Sequence, residues 1–184
     1  TAFGRLGDGF AADVFGVEPD MITFAKGVTS GTVPMGGVLV SSGVYEAFMS
    51  APPGAIELFH GYTYSAHPLA CAAGIATLQL YRDEKLFERA ARMAPRLEDA
   101  LHSLKGARHV IDVRNIGLVG AVELAPRPDA PGKRAFEAFL RCFEKGVLVR
   151  QTGDIIAVAP ALIVEDAQID RIVQTLRDVL STLE

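Results

Sequence analysis

Three short stretches carry the side chains best suited to chemistry. In M-I-T-F-A-K-G-V-T-S-G, residues 21–31, Lys26 stands between a short apolar run and a loop of Gly, Thr and Ser. No carboxylate lies within several residues on either side. A lysine just past a buried strand has two readings. Its stem can lie along the surface while the ammonium reaches water. Alternatively it is an amine for imine chemistry, which needs partial desolvation so that the neutral form is accessible near neutral pH. A strand end beside a Gly/Thr/Ser loop supplies that setting, with donors at hand for an anionic ligand. Spacing alone leaves both readings open.

The second stretch, H-G-Y-T-Y-S-A-H-P at residues 60–68, sets two histidines, two tyrosines, Thr63 and Ser65 ahead of a helix start. A helix start presents free N–H groups and favours anions, and the two hydroxyls add donors. His60 and His67 invite a metal reading, but no third ligand stands at a fitting spacing. A polar loop capping a buried helix is the other reading. In the third stretch, V-L-V-R-Q-T-G-D at 147–154, Arg150 ends an otherwise apolar strand. Its guanidinium is either a surface group or a paired-donor anchor for a carboxylate.

The elements that must position these residues follow from hydrophobic period and breakers. Residues 1–20 read as Gly-rich loop with a short helix around Phe10 to Phe15. Met21 to Ala25 and Gly36 to Ser41 read as buried strands. Ser42 opens a short helix ended by A-P-P-G. Pro68 sits at a first helical position, and the run to Leu80 is apolar nearly all round, the mark of a buried helix.

From Asp83 to Lys105, apolar residues recur at three- and four-residue spacing and Gly106 closes the run. Pro95 inside it is expected to kink or divide that helix. Two strands flank Asn115 to Gly117. A helix over Lys133 to Lys145 carries Phe136, Leu140 and Phe143 on one stripe. Val147 to Arg150 and Ile155 to Ala159 flank T-G-D as a hairpin. Asp166 is the expected cap of a last helix with Ile169, Val173, Leu176 and Val179 on its inner face. The expected organisation is an α/β part over residues 1–82, a connecting helix over 83–105 and a small α+β unit over 106–184.

With 49% apolar and 22% charged residues the 184-residue chain has an ordinary globular composition. Net charge is −4 with no block of like charge, which argues against nucleic acid or anionic membrane as partners. No run approaches the roughly 20 apolar residues that span a bilayer, and no secretory leader is visible. Cys71 and Cys142 are isolated in helical, apolar contexts and read as unpaired thiols of a reducing, cytoplasmic compartment. G-V-T-S-G-T-V-P lacks the closing G-K-[ST] of a phosphate-loop NTPase.

F-G-R-L-G at 3–7, G-V-E-P-D-M-I-T-F-A-K-G at 16–27, P-M-G-G-V at 34–38 and H-G-Y-T-Y-S-A-H-P-L-A-C-A-A-G at 60–74 stand in the order seen in class III pyridoxal-phosphate aminotransferases. V-I-D-V-R-N-I-G-L-V-G-A and V-L-V-R-Q-T-G-D narrow the resemblance to the ω-amino acid:pyruvate (β-alanine:pyruvate) aminotransferases. It covers essentially the whole chain and implies fold type I: the end of the large doubly wound domain, then the small C-terminal domain. It implies pyridoxal 5′-phosphate as cofactor and amino transfer from an ω-amino acid or amine to pyruvate, giving alanine. Lys26 matches the lysine that holds the cofactor as an internal aldimine and shuttles the substrate proton. Thr63 matches the threonine that reaches the cofactor phosphate of the other subunit, so the site would be shared in a homodimer or tetramer. Arg150 matches the arginine that takes a substrate carboxylate, and Arg5 reads as structural.

The aspartate for the pyridine nitrogen, the glycine-containing phosphate loop and the stacking aromatic would lie before Thr1. The expectation is therefore the C-terminal part of such an enzyme. A decarboxylase, aminomutase or racemase of the same fold is the nearest alternative. A catalytically incomplete remnant that keeps a dimer surface is the alternative of another class.

Overall fold

The computed structural model describes residues 2–50, 52–55, 58, 61 and 63–184. Packing divides the chain into two units, Thr1–Gly4 with Asp8–Lys85, and Arg5–Gly7 with Leu86–Glu184.

In the first unit, α1 (Ala11–Phe15) ends at Gly16, which takes the left-handed φ of 61° that closes a helix. β1 (Met21–Ala25) and β2 (Gly36–Val40) pair antiparallel, Met21 opposite Val40 and Ala25 opposite Gly36. Between them Lys26–Thr29 form one 3-10 turn. α2 (Ser42–Met49) follows, then α3 (Pro68–Asp83). α3 begins where Pro68 needs no donor partner, and the His67 imidazole Nδ1 accepts the Leu69 N–H at 3.3 Å.

Two expectations for this unit are corrected. The strands read as buried, yet Met21, Val38, Leu39 and Val40 are exposed, because the sheet has two strands only and one layer cannot cover both faces. Helix α3 read as apolar all round, yet Leu69, Ile75, Leu78 and Leu80 are exposed. Its buried face is the small-residue stripe Ala70, Gly74, Thr77 with Tyr81. That stripe lets the helix approach closely: a Cβ on Gly74 would lie 3.3 Å from Met35 Sδ and 3.7 Å from the Val28 carbonyl.

The second unit is helices on an antiparallel sheet. It contains α4 (Leu86–His102), β3 (Val110–Ile116), β4 (Val119–Leu124), α5 (Lys133–Glu144), β5 (Arg150–Thr152), β6 (Ile155–Val158) and α6 (Asp166–Thr182). Strand order is β3-β4-β6-β5. β4 alternates strictly, with Gly120, Val122 and Leu124 buried, as a strand with one covered face must. Val113, Ile156 and Val158 join them against Leu97, Leu101, Ile169 and Leu176 of the helices. Tight loops fix the register: Gly117 at φ 53° joins β3 to β4, and Gly153 at φ 55° joins β5 to β6.

Here too sequence and structure differ in places. The division falls between Lys85 and Leu86, so α4, expected as a connection, is part of this unit's core, with Ala90, Leu97 and Leu101 fully buried. α4 runs unbroken through Pro95. Pro95 sits on the solvent side, where water can take the carbonyl that loses its helical donor. Phe136, Leu140 and Phe143 of α5 face outward, and Ala135, Ala138 and Cys142 are the buried stripe. The cap of α6 is Glu165, not Asp166: the Gln168 side chain reaches back to the Glu165 N–H at 3.0 Å.

No helix among the described residues is long and apolar enough to cross a membrane. Cys71 and Cys142 are free thiols.

Candidate active site

Lys26 is the first residue after β1, at the head of the 3-10 turn, and its side chain is exposed. The expected partial desolvation is not supplied within this chain. What the turn supplies is an unusual backbone. Lys26 has φ 54°, a left-handed conformation that costs a residue other than glycine about 1–3 kcal/mol and persists only where neighbours impose it.

The neighbours can be named. The Gly31 N–H donates to the Lys26 carbonyl at 3.2 Å and the Ser30 N–H to the Gly27 carbonyl at 3.0 Å. With Ser30 itself left-handed at φ 50°, this is the paired closure that ends helices. The Thr29 hydroxyl, buried, donates to the Val33 carbonyl at 2.7 Å, and the Thr32 hydroxyl to the Thr29 carbonyl at 2.7 Å. From α3 the Tyr81 hydroxyl reaches across 54 positions of sequence to donate to the Gly27 carbonyl at 2.5 Å. Phe3 closes the other side: its ring centroid lies 5.7 Å from that of Tyr81, and a Cβ on Gly27 would come within 2.7 Å of Phe3 Cβ.

Thr63 is exposed, in the turn that leads into α3. His60 and Tyr62 of the same stretch lie outside the described residues. Tyr64 is exposed, 6.1 Å from the His67 ring between centroids. An open cleft of about 450 Å³ is lined by Pro34, Met35 and Gly36 on one side and Tyr64, Ser65 and His67 on the other. One wall thus comes from P-M-G-G-V at 34–38 and the other from the 60–68 stretch, and neither Lys26 nor Thr63 is among the lining residues. No group of three or more His, Cys, Asp or Glu side chains is gathered for a metal among the described residues.

Arg150 belongs to the second unit. It opens β5 opposite Ala157 and is exposed. It lines an open cleft of about 480 Å³ with Phe136, Phe139, Leu148 and Ala157 among its walls, so a guanidinium fork stands on an apolar surface. Arg5 is structural, as read: its Nη1 donates to the Leu118 carbonyl at 2.9 Å and the Pro160 carbonyl at 2.6 Å.

Lys26 offers a primary amine, able to condense with an aldehyde, and Thr63 an exposed hydroxyl, able to donate to an anion; the described contacts do not bring the two together. Sequence reasoning missed Tyr81 and Phe3. The available signal was Tyr81 as the one large residue completing the four-, three- and four-residue spacing of Ala70, Gly74 and Thr77.

Comparison with known proteins places the chain. It is 57% identical over 184 residues to an omega-aminotransferase of Caulobacter vibrioides, covering all of this chain and 42% of that protein. It is 45% identical to a beta-alanine–pyruvate aminotransferase of Pseudomonas aeruginosa, over 98% of this chain and 41% of that protein. A crystal structure of a thermostable (S)-enantioselective omega-transaminase from Thermomicrobium roseum matches 97% of this chain with a TM-score of 0.90 at 36% identity, and 41% of that chain is covered. The chain therefore spans about 42% of the length of its curated relative and carries part of the fold of these transaminases. Residues 1–180 match the family model for aminotransferase class III, and the chain belongs to that family.

Proposed function

We propose that the protein carrying this chain moves an amino group from an ω-amino acid or amine to pyruvate, giving alanine, with pyridoxal 5′-phosphate as cofactor. The observation that carries the reading is Lys26 held left-handed at the end of β1 by a turn whose carbonyls are engaged from two sides. An expensive backbone around a reactive amine is what a functional position looks like. The similarity to aminotransferases supports the reaction class.

Pyridoxal phosphate, when bound, supplies an aldehyde that takes amines and a ring that draws electrons from the carbon bearing the amine. Lys26 Nζ would hold the cofactor, and the same amine would be the base that takes the proton from the amine-bearing carbon and later the acid that returns one. The Thr63 hydroxyl would hold the phosphate of the neighbouring subunit's cofactor, which would make the site a property of a homodimer or a larger assembly. The Arg150 fork takes the carboxylate of pyruvate or of a carboxylated donor. That carboxylate anchor favours transamination with pyruvate over decarboxylase or aminomutase chemistry. Unpaired Cys71 and Cys142 accord with a cytoplasmic setting.

The test is borohydride reduction of the full-length protein with pyridoxal phosphate, followed by intact mass and a peptide map. One reduced cofactor on Lys26 is expected, and Lys26→Ala should lose both the adduct and the yellow absorbance. An adduct on another lysine, or absorbance and transamination retained in Lys26→Ala, overturns the reading.

A further inference from the structure

We propose that Tyr81 is a positioning residue for Lys26: by holding the Gly27 carbonyl, its hydroxyl fixes the direction in which the lysine leaves the backbone. This rests on the function proposed for Lys26.

The geometry carries it. A left-handed lysine relaxes by rotating the peptide planes that follow it, Lys26–Gly27 and then Gly27–Val28. The Lys26 carbonyl is held from within the turn by the Gly31 N–H. The Gly27 carbonyl is held from within by the Ser30 N–H and from outside by Tyr81 Oη at 2.5 Å. A carbonyl oxygen has two acceptor positions, and both are used. The Tyr81 bond is the one that refers the turn to a different element, because α3 is a 16-residue helix with its own hydrogen bonds. Tyr81 is buried, with little access for competing water. Phe3 lies against its ring and crowds Gly27, where even a methyl group would collide. Lys26 has the same residue type with or without this bond, but the bond sets where Nζ can go. Proton transfer needs the donor and acceptor atoms within hydrogen-bond reach, so direction is what the chemistry is sensitive to.

The experiment compares Tyr81→Phe with the parent in the full-length protein. Thr77→Val serves as control, because Thr77 lies one turn earlier on the same buried face of α3. Two readouts are used. In cofactor-free protein, amide exchange at Ser30 and Gly31 reports whether the turn opens. In cofactor-loaded protein, kcat, KM and the isotope effect with an α-deuterated donor report the proton step.

Tyr81→Phe should speed exchange at Ser30 and Gly31 by roughly tenfold, the equilibrium worth of one hydrogen bond. It should also lower kcat and enlarge the isotope effect while KM and the melting midpoint stay near the parent's. Thr77→Val should move neither readout. Unchanged exchange and isotope effect in Tyr81→Phe overturn the proposal, as do equal effects from Thr77→Val. If the parent shows no adduct on Lys26, the function proposed above falls, while the exchange result still decides whether Tyr81 holds the turn.

Discussion

Arg5 and Leu118 hold each other in both directions. The Arg5 guanidinium donates to the Leu118 carbonyl at 2.9 Å, and the Leu118 N–H donates to the Arg5 carbonyl at 2.9 Å. The same guanidinium nitrogen reaches the Pro160 carbonyl beyond the end of β6. One residue from the chain's start thus closes the end of a sheet built more than a hundred residues later. Arg5→Ala is expected to cost the second unit about 2–3 kcal/mol, the range for lost charge-assisted hydrogen bonds. Gly117→Ala should do comparable harm, since its Cβ would meet the Arg5 carbonyl at 2.6 Å with φ at 53°. Denaturant midpoints read both. A change in Arg5→Ala no larger than about 0.5 kcal/mol, the ordinary surface range, would remove Arg5 from the structural account.

Arg150 offers a test of substrate binding. Arg150→Ala should raise KM for pyruvate by about 10- to 100-fold, as expected for a lost bidentate carboxylate contact. The half-reaction with an amine that has no carboxylate should keep its parent rate. Arg150→Lys should not restore pyruvate binding, because an ammonium lacks the paired planar donors. Equal losses on both substrates would mean that Arg150 only supports the strand.

Glu137 lies between Arg127 and Arg141, with Arg127 Nη2 at 2.7 Å. Burial pushes its carboxyl up, but hydrogen bonds and charge from the two arginines outweigh burial and hold it below the usual carboxylate value. A folded-state value below the unfolded one gives stability that is present above the ordinary carboxylate range and lost as pH falls through the folded value. Glu137→Gln should therefore unfold more easily than the parent at neutral pH, with the difference shrinking as the solution is acidified through that range. A difference that stays constant to low pH would mean the loss is one of packing.

Burial pushes the Cys142 thiol up to about 11, whereas Cys71 is only half-buried. Thiolate is the reactive form. A maleimide should label Cys71 in the folded chain and reach Cys142 only on unfolding. Labelling of both at one rate would show that α5 opens.

Position along the chain was more legible in this sequence than cover. Lys26 was readable as a lysine at a strand end and the α6 face from Ile169 to Val179 by its period, while Arg150, read as closing a hairpin strand, opens one. These are local facts about a few neighbouring residues. The direction of burial was not local. Phe136, Leu140 and Phe143 form a clean apolar stripe, but the sheet packs against Ala135, Ala138 and Cys142, where small side chains allow close approach. Met21 and Val38 to Val40 read as core, yet a two-stranded sheet has nothing of its own to lay over them. Apolar period tells which face avoids water, not what covers it. Tyr81 escaped notice because its partner carbonyl lies 54 residues away, a distance no window reads.

On the function proposed for Lys26, its left-handed backbone sets endurance against reactivity at a single residue. The residues that sit most comfortably at such a φ are glycine and, less so, asparagine. Neither carries an amine that can attack a carbonyl. A library randomised at position 26 and screened for survival on heating should enrich glycine and asparagine, and the same survivors should be silent in every assay of amino transfer.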